Sequence, residues 1–561
     1  MALSNKGRKD NNFPGTCVSP EGRFIHGVHR PCFNIANLRQ KDFIEALGRL
    51  PDNTEIFNSV NFPATDVKEE NGDVIYEIPN PFPFRGVTYI NSRWADKNKI
   101  LPENIKIKRR EAFSFKSSVE KWLKKSKLSP GNIKELFGVL PRPILIAVAE
   151  SSTDPSELTA LAEMVCTFLY DNGASNPKGI LFKKRDNGET IPDINDHMLY
   201  EIIANNQHLP DDYKNAMVLV PGIQGTSEIV GDFHDNAENS HVFEYLRRNS
   251  YIPWGHFAAN MANNSIRYNI KDLLLKDMEG LRRLYYQRTY LRLAEQLGIE
   301  NRQSSQGRKA ALSDSKLEEL RLRIIEKLSR NPEKLKFNRS LWGWNYGFGY
   351  SHSDYNLHAS HQQIHQQYAM IPKYAVNGDD KSCINQIPSY SSGDLVEKFV
   401  DEYRHKTGKG FFENYLAAIN HNSRIDKDPS MESSLTVFED GNVILFVPKA
   451  QTSQFELQLM PKKKCGNVLE ADIEMRRSLD RAILISIKSL DSLGARMVTS
   501  IEISKRFDLH HGHDQNMIYF FLPKLPMAPG ALSEAHLRWI NGHYPEDFAH
   551  AAGSAAGNLI L

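Results

Sequence analysis

The chain has 561 residues, with 70 Lys plus Arg against 68 Asp plus Glu, so it has no overall basic field to hold a nucleic-acid backbone by counterion release. Its length exceeds one ordinary core and implies two to four domains or sub-domains. No apolar run reaches the roughly eighteen residues of a membrane helix, and Met1 to Asn12 is polar, without the apolar centre of a signal peptide.

A cytoplasmic protein without a membrane partner is therefore expected. Cys17, Cys32, Cys166, Cys383 and Cys465 are scattered with no Cys-x-x-Cys pair, which argues against a disulfide framework or a zinc ribbon.

In chain order, residues 1–70 read as an irregular, Gly-, Pro- and Asn-rich lead-in that wraps a later domain. Strands are expected at Asp73–Ile78 and Val87–Asn91, with a sharp turn between them. Ile144–Ala149 and Ala216–Val220 are short continuous apolar runs and read as strands buried inside a sheet. Helical spacing is found from Glu157 to Tyr170, and 183–214 reads as loop-rich. Leu274, Met278, Leu281, Tyr285 and Leu291 mark a long helix capped at Gly298. A second helix is expected from a capping box at Ser315 and Glu318. The last third predicts strands at Val443–Pro448 and Phe455–Met460, a helix over Ala471–Leu493, and strands near Thr499–Ile503 and Met517–Phe521.

The stretch richest in chemistry is Leu357 to Pro372, LHASHQQIHQQYAMIP. If it is extended, alternation puts His361, Gln363, His365 and Gln367 on one face. A neutral imidazole is a nucleophile for phosphorus, and neighbouring amides donate to phosphate oxygens without protonating the ring. A solvated polar strand or loop without a role fits the same pattern.

This segment resembles the active-site strand of the histidine-triad superfamily, in the branch of the galactose-1-phosphate uridylyltransferases and diadenosine tetraphosphate phosphorylases. Ser360, His365 and Gln367 match the serine, the nucleophilic second histidine and the glutamine of that motif, while Gln363 stands where its first histidine should be. The run Glu77 to Pro83 is similar to the family's early strand end, which makes Asn80 a candidate ligand for ribose or base. Its alternative reading is a turn residue. Asn442 to Lys462 resembles the second-half signature, and Tyr544 to Ala549 its last helix start, in the family order.

The resemblance implies an α+β fold of two histidine-triad-like (HIT-like) halves, each an antiparallel sheet with packed helices. The expected boundaries are a lead-in over 1–70, a first half over 71–430 with a helical insertion at about 225–335, and a second half over 431–561. It implies a nucleotidyltransferase or phosphorylase that acts on a nucleoside diphosphate compound, a nucleotide sugar or a dinucleotide, through a nucleotidyl-histidine at His365. Gln363 and Gln367 would assist, and Ser360, His361 and Asn80 would bind nucleotide. The family commonly forms homodimers. A binder of the same fold that has lost catalysis is the alternative reading. Nucleic-acid end processing, with Lys106 to Arg110 gripping phosphates, is a weaker third.

The family's structural zinc is not expected, because Gln363 replaces its histidine ligand. No cofactor is assigned and a divalent metal is left open. Other groupings rank below solvated loops as metal sites: Cys17, Cys32 and His29; Asp232, His234, Asp235, Glu238 and His241; and His510, His511, His513 and Asp514.

Overall fold

A computed structural model describes residues 15–560 except 31–32, 39–42, 62–64, 109–110, 126–132, 172, 174, 185, 187–189, 207, 218–269, 271–272, 300–311, 331–334, 348–363, 377–385, 510–512 and 526–530. The fold mixes helix and sheet in the α+β manner. The strands that matter for the site are, in chain order, β1 (Gly27–His29), β2 (Ile75–Pro79), β3 (Val87–Asn91), β4 (Phe337–Gly347), β5 (Ile364–Pro372), β6 (Thr436–Glu439), β7 (Val443–Phe446), β8 (Leu457–Pro461), β9 (Met497–Ile503), β10 (Ile518–Pro523) and β11 (Arg538–Asn541). The helices that pack around these strands or bear on the sequence expectations include α1 (Arg142–Ser151), α2 (Pro155–Val165), α3 (Leu275–Gln296), α4 (Asp314–Arg330), α5 (Ser392–Thr407), α6 (Phe411–Asn420), α7 (Ile473–Ser492) and α8 (Pro545–Ile560).

A seven-stranded antiparallel sheet in the order β5-β4-β9-β10-β8-β7-β6 is the frame. Strands from both sides of residue 430 share it, because β4 pairs with β9 from Trp342↔Glu502 to Gly347↔Met497. The period of two sorts the side chains. Trp342, Trp344, Tyr346, Val498, Tyr519, Leu459 and Leu445 lie on one face and pack with α3, α4, α7 and α8 into the main core. Ile518, Phe520, Met460, Ile444 and Phe446 lie on the other face, where α5, α6 and the turn around Phe82 cover them. β2 and β3 belong to a four-stranded sheet, β1-β2-β3-β11, on that second side. The lead-in is tied in as well: Thr16 donates to the Pro81 carbonyl at 2.7 Å and Val18 is buried in the second-face core. It is more regular than expected, with Phe33–Ile35 paired antiparallel to Val67–Glu69 and a hairpin of Ala46–Arg49 with Glu55–Phe57 between them in the chain.

Several expectations are corrected. Ile144–Ala149 is not a buried strand but part of α1. Periodicity cannot separate a short apolar run in a strand from one in a helix, and here Pro141 and Pro143 stand at the helix start, where a missing N–H costs nothing. Leu145, Val148 and Ala149 then share its buried face. Ala216 and Met217 end the helix Asp211–Met217, and 218–220 lie outside the described residues. The supposed loop 183–214 holds most of a hairpin, Phe182–Lys184 with Thr190–Pro192, as well as the helix His197–Asn205 and the start of Asp211–Met217. These helices, with α1 and α2, build a separate apolar cluster. α2 stops at Val165, and Phe168–Tyr170 is a strand.

The long helix and its cap are as expected. α3 is followed by Gly298 at φ +63°, a left-handed position that suits a residue without Cβ, and the N–H of Ile299 closes on the carbonyl of Ala294 at 2.9 Å. The proposed capping box of α4 is corrected. Ser313, not Ser315, caps the helix by accepting from the Lys316 N–H at 3.3 Å, and Glu318 turns instead to Arg321 and Arg476.

Candidate functional site

β5 is an edge of the sheet and carries His365 and Gln367. Register sets His365 opposite Asn345 and Gln367 opposite Gly343, and on the far side of β4 these same residues face Thr499 and Ile501. The two rows, His365-Asn345-Thr499 and Gln367-Gly343-Ile501, thus run across three strands on the second face. Directly paired antiparallel residues share a face of the sheet, so backbone register alone assigns these positions to one side.

Beside Gly343 the second face is exposed. Ile501 is 40% exposed and Leu341, next along β4, is 39% exposed, whereas Phe520, the partner of Ile501 on β10, is 2% exposed. The hydroxyl of Thr499 donates to Asn345 Oδ1 at 2.9 Å, which sets the orientation of that amide beside the register position of His365.

Behind the rows, the first face holds the strands rigidly. Trp344 stacks on Tyr346 with centroids 4.7 Å apart, and Arg282 lies 4.4 Å over the Trp342 ring. Arg282 is buried and donates to Asp480 at 3.2 Å and to the Tyr519 hydroxyl at 2.8 Å, while Tyr285 and Tyr519 donate to the two oxygens of Glu502. Burial pushes the Asp480 carboxyl up to about 7, against the pull of Arg282 and Tyr286. Arg288 donates to the Tyr368 hydroxyl at 2.5 Å, which ties β5 down three residues from His365.

The structure does not bring Asn80 to these rows. It is buried at the end of β2, donates to the Ala450 carbonyl at 3.2 Å, and accepts the Phe82 N–H at 3.0 Å. This is the geometry of a turn residue that pins the Pro81–Arg85 turn. Ser360, His361 and Gln363 lie outside the described residues.

Sequence reasoning missed Asn345, Gly343 and Thr499. The signal was present in Leu341-Trp-Gly-Trp-Asn-Tyr346, where large aromatics alternate with small or polar residues at the period of a half-covered strand.

The other groupings are held by the protein itself. Cys17 lies in the second-face core, where burial raises its thiol well above the ordinary range, and His29 bonds Glu77 at 2.5 Å. His513 meets Asp401 at 3.0 Å, and Asp514 is held by Arg404 and Lys464. Cys32, His510, His511 and the run 232–241 lie outside the described residues. Among the described residues no three His, Cys, Asp or Glu side chains are grouped to hold a metal, and no helix is long and apolar enough to cross a membrane.

No family model and no curated protein matches the sequence. Solved structures similar to it include a GalT-like protein of Arabidopsis thaliana, 12% identical, covering 43% of this chain and 69% of that one with a TM-score of 0.30. A uridylyltransferase mutant is 14% identical over 44% of this chain and 73% of its own, with a TM-score of 0.30. An ADP-glucose phosphorylase of Arabidopsis thaliana with bound ADP-glucose is 13% identical over 43% of this chain and 66% of its own, also with a TM-score of 0.30.

Proposed function

We propose that this chain is a nucleotidyltransferase or phosphorylase that moves a nucleotide from a nucleoside diphosphate compound by way of His365. The observation that supports the reading is the register: the one histidine matched to a nucleophile is paired with Asn345, whose amide is held by Thr499, on a sheet whose other face is packed into the core. A ring nitrogen of His365 attacks the α-phosphorus. The P–N bond forms as the P–O bond to the leaving phosphate breaks, and the departing oxygen keeps the electron pair. An acceptor oxygen, from a sugar phosphate or from inorganic phosphate, then displaces the histidine and takes the nucleotide.

Asn345, Gln367, Ser360 and Gln363 serve as donors to the non-bridging oxygens, where preorganised dipoles offset the charge that develops. Asn80 acts at a remove, through the turn it pins. No step calls for zinc, and Cys17, sealed in the core with its thiol raised, does not suit a zinc ligand.

The test is chemical. Incubated with donors labelled at the α-phosphate, both nucleotide sugars and dinucleotides, the protein retains label in an acid-labile, base-stable bond, and His365→Ala retains none. Absence of label with every donor ends the proposal. The replacement of the motif's first histidine by Gln363 favours one second reading, a nucleotide binder without turnover. Its signature is a rise in melting temperature with nucleotide but no label.

A further inference from the structure

We infer that Gly343 is a specificity-determining position, and that its bare backbone is the place where the nucleoside part of the substrate rests on the sheet. This deepens the reading above and rests on it.

Gly343 stands in the middle of β4, with β5 on one side and β9 on the other. A glycine inside a strand forgoes side-chain packing and costs backbone entropy relative to alanine, so its presence calls for a cause. Conformation is not the cause, because Gly343 is not among the residues with positive φ. Crowding by the described residues is not the cause either. Among them a Cβ built there meets only the Ser500 carbonyl, at 3.6 Å, an ordinary contact, whereas at Gly86 it would lie 1.9 Å from the Leu537 carbonyl and at Gly466 2.6 Å from that of Gln515. Close approach by something from outside is a further cause of a strand glycine.

The surroundings say what approaches. On the second face Gly343 is flanked by Ile501 and Leu341, both well exposed, and Ala369 on β5 is exposed as well. The strip is uncharged at these positions, Arg339 further along β4 on the same face being buried in an ion pair with Asp394. It suits the flat face of a base or the body of a ribose, whereas a phosphorylated sugar calls for cations. Two residues along the strand, roughly 7 Å away, is the row of His365, Asn345 and Thr499. A nucleotide bonded through phosphorus at that row reaches the strip with its nucleoside.

Gly343→Val is the decisive variant, because valine suits a strand and the space for its Cβ exists. AMP and UMP, which carry the nucleoside and its phosphate without a leaving group, are the probes, measured by calorimetry beside the thermal unfolding of the same proteins. The variant is expected to melt at or above the wild-type temperature and to lose AMP or UMP affinity by about tenfold or more, with Gly343→Ala between the two.

A lower melting temperature for Gly343→Val overturns the inference by showing that the chain itself occupies the strip. Unchanged AMP and UMP binding overturns it as well, and if ADP-glucose binding falls in that same variant, the strip holds the leaving group instead. A wild-type protein that binds neither nucleotide and takes no label removes the proposed function itself, and this inference with it.

Discussion

Ile501 and Phe520 are paired across two adjacent strands on one face of one sheet, yet one is 40% exposed and the other 2%. The line between them divides that face. On the β10 side Phe520 meets Phe82 at 6.4 Å between centroids, and the guanidinium of Arg85 lies 4.0 Å over its ring. On the β9 side Ile501 and Leu341 are exposed, and there the register sets Gly343. A sheet buried on both faces can only be scaffold, because ligand has no access to it. Where the same sheet is exposed on one face, with its other face locked to a core, it offers rigid backbone and accessible side chains together.

Substitutions that sharpen or break this contrast begin on the covered side. Phe520→Ala is expected to cost about 3–5 kcal/mol in chemical denaturation, from lost transfer energy and a cavity that its aromatic neighbours cannot close. A loss below 1 kcal/mol there means that the covered side is not the packed scaffold described.

Lys449→Ala belongs to the same class. Its ammonium is buried and donates to Glu546, to Asn422 and to the Ser423 carbonyl, so its removal strands a buried carboxylate, at about 3–5 kcal/mol. Glu546→Gln together with Lys449→Met is expected to recover most of that loss, since no unpaired charge is left.

The core behind the open rows gives a pH signature. The Asp480 carboxyl titrates near 7 in the folded protein and near 3.8 when unfolded, so the folded state holds an extra proton between those values. Its contribution to stability is therefore full below about pH 4 and is lost as pH rises through 7, with a slope of up to about 1.4 kcal/mol per pH unit. Thermal unfolding of wild type and Asp480→Asn across pH 5 to 8 checks the sign. The wild type gains on the variant as pH falls, and parallel curves contradict the assignment.

The smallest effect is the most telling. Ile501→Ala, one strand from Phe520, is expected to change stability by less than about 0.5 kcal/mol, as exposed positions do. A large loss at Ile501 shows that something in the chain covers this strip, and it erases the contrast with Phe520.

Much of the local structure was readable before any coordinates. β7, β8, α7, β9 and β10 lie where alternation and helical spacing placed them, because in that stretch each local preference agrees with the burial that follows. The left-handed cap at Gly298 was readable for the same reason. Ile144–Ala149 was misread because a run that is apolar throughout has no period to distinguish strand from helix.

The candidate site was partly suggested by residue type. Residue types alone marked the histidine and its amide neighbours in LHASHQQIHQQ, since imidazole and amide are the groups suited to phosphorus chemistry. Sequence also carried the alternation of Trp342, Gly343, Trp344 and Asn345.

Only the tertiary structure decided that Asn345 and Thr499, 154 residues apart, stand in one row with His365, that Asn80 pins a turn against Ala450, and that the second face is covered at Phe520 and open at Ile501. Strand pairing joins segments by register across any sequence distance, and cover depends on what the rest of the chain leaves unburied. Neither is written in a local pattern.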